Sequence, residues 1–213
     1  MSSSFSPRSS FLIAAIIILT VGLVVCCDSN GQVLNQDQEI HVHNLPSVTA
    51  HSQDPSDILL AALETIFGDK EVCCSKNSAL GDKAAAADPR SLKDIVAKLD
   101  GRHLLSDGRP IHVTADYVVA DAINGGTLIS MVLNGRPALM QWNSHLYVLH
   151  GVIYRWIESG DPATRSMGRM TVVYKLLLWD MRFSDSRREV VFDRTTDDLS
   201  KVQGMLFLQA APQ

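Results

Sequence analysis

Trp142-Asn143-Ser144-His145-Leu146-Tyr147-Val148-Leu149-His150-Gly151-Val152 is strongly β-prone. Branched and aromatic side chains of this kind pack well on a pleated surface, so a strand is predicted from His145 through Trp156. The same composition recurs throughout the chain after Pro137, at Ala138–Trp142, Met170–Trp179, Arg188–Asp193 and Met205–Ala210. Before Pro137 the apolar spacing turns helical. Asp54-Pro55-Ser56 offers a cap and a stiff entry to a helix with Leu59, Ala62, Leu63 and Ile66 on one face, stopped at Gly68. Ser91 caps a second helix, with Leu92, Ile95, Val96 and Leu99 aligned, that ends before Gly101. Asp116–Ala122 and Leu128–Leu133 read as two further short helices, the latter closed by Asn134-Gly135. Helices first and strands last imply an α+β domain, with N-terminal helices packed on a C-terminal antiparallel β-sheet.

The N-terminal end has a different character. From Phe11 to Cys27 no charge occurs, and only Thr20 and Gly22 interrupt the aliphatic run that follows Arg8. That pattern fits a secretory signal peptide or a membrane anchor. Leu23-Val24-Val25-Cys26 resembles a bacterial lipoprotein processing box. Each of these fates places the domain outside the cytoplasm, secreted or membrane-anchored. Ser29–Pro55 is polar and shows no helical or strand period, so a tether is expected. The predicted organisation is 1–27 signal or anchor, 28–55 polar tether and 56–213 a single domain. His41 and His43 could share one extended face of the tether, with His51 nearby, but no Cys or carboxylate is spaced to complete a tetrahedral metal set.

Composition narrows the function classes. Of 213 residues, 46% are hydrophobic and 20% charged, which excludes a collagen, a coiled coil and a wholly disordered polymer. The formal net charge is -4, and no basic run exceeds Arg187-Arg188, which argues against a nucleic-acid partner. There is no Gly-x-Gly-x-x-Gly, Walker loop, His-Glu-x-x-His or Gly-x-Ser-x-Gly, so nucleotide binding, zinc proteolysis and the serine elbow lack their prerequisites. No cofactor and no metal are expected.

Three residues form a candidate catalytic set. Past Cys27 the only cysteines are Cys73 and Cys74. Adjacent cysteines make no ordinary disulfide framework, because a vicinal bridge strains the peptide between them. A thiol kept in an oxidising compartment suits nucleophilic chemistry, and a helix N-terminus lowers its pKa. Asn77-Ser78-Ala79-Leu80 offers such a helix start. The alternatives are two small buried hydrophobes or a vicinal disulfide. His145 opens the long strand, and Asp180 follows the apolar run Val172–Trp179. If the two strands form a hairpin turning near Gly160-Asp161-Pro162, a register that pairs His145 with Asp180 sets both side chains on one face. That is the arrangement of a base and its orienting carboxylate.

Cys74-Ser75-Lys76-Asn77-Ser78-Ala79-Leu80, then Ser144-His145-Leu146-Tyr147-Val148-Leu149-His150-Gly151-Val152, then Leu178-Trp179-Asp180-Met181-Arg182 follow in the order found in papain-like cysteine peptidases. The chain resembles, within that group, the bacteriocin-leader-processing peptidases and their secreted relatives, over about residues 56–213. The resemblance implies a papain-like fold and a Cys74, His145, Asp180 triad, with Cys73 as alternative nucleophile, acting on a peptide or protein substrate. Departures are also plain. No Gln occurs from Ile66 to Glu71, Ser144 stands before the histidine where glycine is usual, and Met181 stands after the aspartate where proline is usual. These departures keep open a second expectation, a catalytically inactive papain-like domain that binds a peptide or an envelope protein.

Overall fold

A computed structural model describes residues 37–46, 48–50, 52–68, 79–105, 107–161 and 166–212. These belong to one unit, Asn35–Gln213. In chain order the elements are β1 (Gln38–His41), α1 (Pro55–Phe67), α2 (Ala79–Ala85), α3 (Leu92–Leu99), β2 (Gly101–Leu104), β3 (Pro110–Val119), α4 (Gly125–Leu133), β4 (Ala138–Trp142), β5 (His145–Asp161), β6 (Ser166–Asp180), β7 (Glu189–Asp193) and β8 (Val202–Pro212). The architecture is α+β. All eight strands join one antiparallel sheet in the order β2-β3-β8-β4-β5-β6-β7, with β1 paired to β5.

Burial on both faces sets the composition of the central strands. Leu146 and Val148 of β5 and Leu206 and Leu208 of β8 join the core that holds Leu59, Leu63, Leu80, Ile95 and Leu99 of α1, α2 and α3. Their alternates, Tyr147 and Leu149 of β5 and Met205 and Phe207 of β8, join a second core with Leu128 and Val132 of α4. Three helices therefore cover one face and α4 the other. A strand buried on both sides reads as a continuous apolar run, which is how β5 and the end of β6 are written.

The helix boundaries follow local chemistry. Asp54 accepts a hydrogen bond from the Ser56 N–H at the start of α1, and Gly68 ends it at a φ of +66° that glycine takes without strain. Ser91 caps α3 by accepting from the Asp94 N–H.

Three strands, β1, β2 and β3, precede Pro137, so the expected segregation of helices from strands is not strict. Asp116–Ala122, read as a helix, is instead the end of β3 followed by a single 3₁₀ turn at Ala120–Ala122. The pairing of β3 with β8, including Asp116 opposite Phe207, overrides its local pattern. The segment expected to be a free tether also contributes: β1 pairs with residues 151–154 of β5, and Val42 is buried. No helix among the described residues is long and apolar enough to cross a membrane, and Phe11–Cys27 lies outside those residues.

The β5–β6 hairpin carries two bulges. His150 is the extra residue between the pairs Leu149–Leu178 and Gly151–Leu177, and Tyr174 is the extra residue on β6 between Lys175 and Val173. Gly151 then lies under β1, where a Cβ would stand 2.8 Å from the Ile40 carbonyl oxygen and 3.0 Å from Leu177 Cδ1. Gly151→Ala is expected to strain the β1–β5 pairing and cost about 1–3 kcal/mol. Urea denaturation of the variant beside the parent checks this; an unchanged midpoint refutes the close approach.

Candidate active-site groove

The β4–β5 hairpin sets His145 in place. Trp142 pairs with His145 across a two-residue turn, and both turn residues are left-handed, Asn143 at φ +51° and Ser144 at φ +62°. Such turns match the twist of the strands they join. The turn is tied down by the Asn143 N–H, which donates to the Lys201 carbonyl at 3.1 Å. His145 is exposed, and its Nδ1 lies 2.9 Å from the Asn143 carbonyl oxygen. A carbonyl only accepts, so Nδ1 carries the hydrogen and the neutral ring keeps its lone pair on Nε2. That is the tautomer a general base needs.

His145 lines a groove of about 200 Å³. Pro55 and Ile58 of α1 with the preceding Gln53 line it from the helical layer. Pro89 and Arg90 join from the α2–α3 loop, and Ser144, Leu146 and Arg182 from the sheet. The loop is held to the sheet by the buried Gln141, whose Nε2 donates to the Arg90 carbonyl at 2.7 Å.

Asp180 closes β6 and is 3% exposed. Its cross-strand partner is Tyr147, two residues beyond His145, so the expected register is displaced by two. Strand alternation leaves His145 and Asp180 with the same face parity after a shift of two. The Asp180 carboxylate is held by Arg182: the backbone N–H and Nε donate to Oδ1 at 3.0 and 2.8 Å, and Nη2 donates to Oδ2 at 2.5 Å. Burial first, and the Asp180 charge second, push the Tyr147 phenol above its ordinary value. Among the described residues His145 hydrogen-bonds only Asn143, so no bond joins it to Asp180. Cys73 and Cys74 lie outside the described residues; α2 follows them in the chain, beginning at Ala79 in the described residues.

Arg182, Arg90 and Gln53 were not among the residues singled out from sequence. The spacing Asp180-x-Arg182 was the available signal for the first. Gln53 lies in the groove, well before the Ile66–Glu71 interval, and its Nε2 donates to the Arg182 carbonyl at 3.4 Å.

A second cluster absorbs two other histidines. His41 and His150 stack at 5.4 Å between ring centroids, with 3.4 Å between their Nδ1 atoms, and His150 stacks on Trp179 at 4.6 Å. Arg188 lies over the same Trp179 ring at 4.3 Å. His41 Nε2 is 2.6 Å from Glu39 Oε1. Because a carboxylate accepts, His41 donates through Nε2 and accepts at Nδ1 from His150, which leaves the buried His150 Nε2 without a partner among the described residues. His41 thus belongs to a strand of the sheet; His43 is exposed in the turn that follows, and His51 lies outside the described residues. Among the described residues no group of three or more His, Cys, Asp or Glu is placed to hold a metal ion.

No family model matches this chain, and neither does a curated protein or a solved structure.

Burial, then the neighbouring His41 and Arg188, lower the His150 pKa to about 4. Its folded value is below its unfolded value of about 6.5, so the unfolded chain takes up the proton first. This site therefore leaves stability intact above pH 6.5 and removes it as the pH falls toward 4, by at most about 3 kcal/mol. His41 and Arg188 are the charged or titratable neighbours that act on His150, and Glu39 faces His41. Chemical denaturation of the parent and of His150→Phe across pH 4 to 7.5 tests this: the variant should show the shallower dependence, and parallel curves refute it.

Proposed function

We propose that this chain is an exported papain-like thiol hydrolase acting on peptide or other acyl bonds. The observation that supports the reading best is His145: an imidazole at the mouth of β5, in a groove, with Nδ1–H fixed by a carbonyl and Nε2 left to accept a proton. In the proposed cycle His145 takes the proton of Cys74, and the thiolate attacks the carbonyl carbon. The C–N bond breaks as His145 returns that proton to the leaving amine, and a thioester remains. Water, deprotonated by His145, then hydrolyses the thioester and regenerates the thiol. Cys73 is the alternative nucleophile. Asp180 takes the third place, with the tautomer held by Asn143 and the carboxylate charge tempered by Arg182. Export rests on the uncharged run Phe11–Cys27, and no cofactor is invoked.

One observation favours a second reading, a non-catalytic domain whose groove binds a peptide or envelope protein. Arg182 bonds both oxygens of Asp180, so the carboxylate is committed to a partner other than the base.

Treatment of the full chain with iodoacetamide at pH 7, followed by peptide mapping and assay on a fluorogenic peptide mixture, separates the two. The hydrolase reading expects rapid alkylation of one cysteine and parallel loss of activity. His145→Ala is expected to lower turnover between about 100-fold and 10,000-fold. Activity that survives Cys73→Ala with Cys74→Ala, or a native mass showing the two cysteines bridged, refutes the hydrolase reading.

A further inference from the structure

The charged groups that line the groove are both guanidinium. Arg90 and Arg182 line it together with His145 and Ser144, and among the described residues no carboxylate does, although the chain as a whole is acidic. The two arginines differ in how they are held. Arg182 is oriented by the buried Asp180, which takes Nε and Nη2, and by the Tyr147 phenol, with which its side chain also interacts. A guanidinium fixed in this way keeps the planar donor geometry that matches a carboxylate, at a small loss of conformational freedom. Arg90 has an anchored backbone, its N–H donating to Asp88 Oδ1 at 2.9 Å and its carbonyl accepting from Gln141. Its guanidinium makes no hydrogen bond or ion pair among the described residues, and the residue is exposed.

The acidic residues adjacent in sequence each accept a hydrogen bond from a neighbour in the chain. Asp54 accepts from the Ser56 N–H at 2.8 Å, Asp57 from the Ser52 hydroxyl at 2.5 Å, and Asp88 from the Arg90 N–H. Arg90 thus lines the groove without a side-chain partner among the described residues, and Arg182 lines it with a guanidinium oriented by Asp180. Pro55, Ile58, Pro89 and Leu146 give the groove its apolar wall. A few apolar contacts with one or two convergent charged groups is the chemistry of a site that reads a short segment by one anionic group.

We infer that the groove binds a peptide segment through a carboxylate, on an acidic side chain or at the segment's C-terminus, with Arg90 and Arg182 as its receptors. This inference shares the groove with the proposed hydrolase but does not depend on a reactive thiol: in the hydrolase it defines which acyl substrates are accepted, and in the binding domain it defines the partner.

The test uses the full chain carrying Cys73→Ala and Cys74→Ala, so that cleavage cannot contribute, with calorimetric titration at low salt. Three probes are compared: the acetylated and amidated pentapeptide Ala-Ala-Glu-Ala-Ala, its Gln counterpart, and acetylated penta-alanine with a free C-terminus. The first or the third is expected to bind about tenfold more tightly than the Gln peptide, a difference of about 1.4 kcal/mol, and which of them does so identifies the source of the carboxylate. Arg90→Ala should abolish most of that preference and Arg90→Lys should keep part of it, both with unchanged thermal unfolding. Equal affinity for all three peptides, binding of none of them, or a preference that survives Arg90→Ala overturns the inference. A failed alkylation test with a retained carboxylate preference removes the hydrolase and leaves this inference standing.

Discussion

The first part of β5, from Leu146 to Val152, is covered on both faces and paired along both edges, and that constraint shapes the rest of the molecule. It pairs β4 and then β1 along one side and β6 along the other. Leu146 and Val148 face three helices while Tyr147 and Leu149 face the other core. A position enclosed in this way accepts polar side chains only where regular pairing starts or is interrupted, because an unpaired buried polar group is costly. The two histidines of β5 sit at those places. His145 lies at the strand's mouth, fixed by a left-handed turn, and His150 is the bulge residue, stacked between His41 and Trp179. The chemically versatile groups thus mark the irregularities at the two ends of the enclosed apolar stretch, which is where departures from local regularity concentrate.

The parts of the fold legible in sequence are those in which the local pattern and the tertiary environment agree. Asp54-Pro55, Gly68 and Ser91 announced helix ends that the structure places at the same residues, because capping is decided within a few positions of chain. The apolar runs of β4, β5 and β6 were equally plain, since burial on both faces leaves no ambiguity of period. β2 and β1 were missed because each has only four residues, and β1 lies in a polar segment whose pairing partner is more than a hundred positions away. β3 was misread at its end because Asp116 and its neighbours owe their conformation to β8.

The candidate site was legible in its members and not in its geometry. Sequence order pointed to His145 at a strand mouth and Asp180 at a strand end, and both stand there. Register was another matter. Bulges at His150 and Tyr174 shift the two strands against each other and then restore the offset, and nothing in the local composition signals an inserted residue. Because the two bulges cancel, the displacement by two is set where the hairpin closes, at the pair Asp161–Ser166; it keeps the faces and changes the partner, so that Tyr147 rather than His145 lies across from Asp180.

That change decides what holds Asp180. A carboxylate this buried requires a partner, and sequence order offers two candidates: an imidazole on the adjacent strand and a guanidinium two residues along its own chain. The guanidinium offers more, since Arg182 closes a tight local turn in which one backbone and two side-chain nitrogens donate to the same carboxylate. An imidazole supplies a single donor, and His145 already spends its own on Asn143. The aspartate therefore does by local geometry what a capping residue does for a helix, satisfying the groups that follow it. The consequence falls on the groove: a carboxylate that sequence order pairs with an imidazole instead fixes an arginine, so an imidazole and an oriented guanidinium line the same groove.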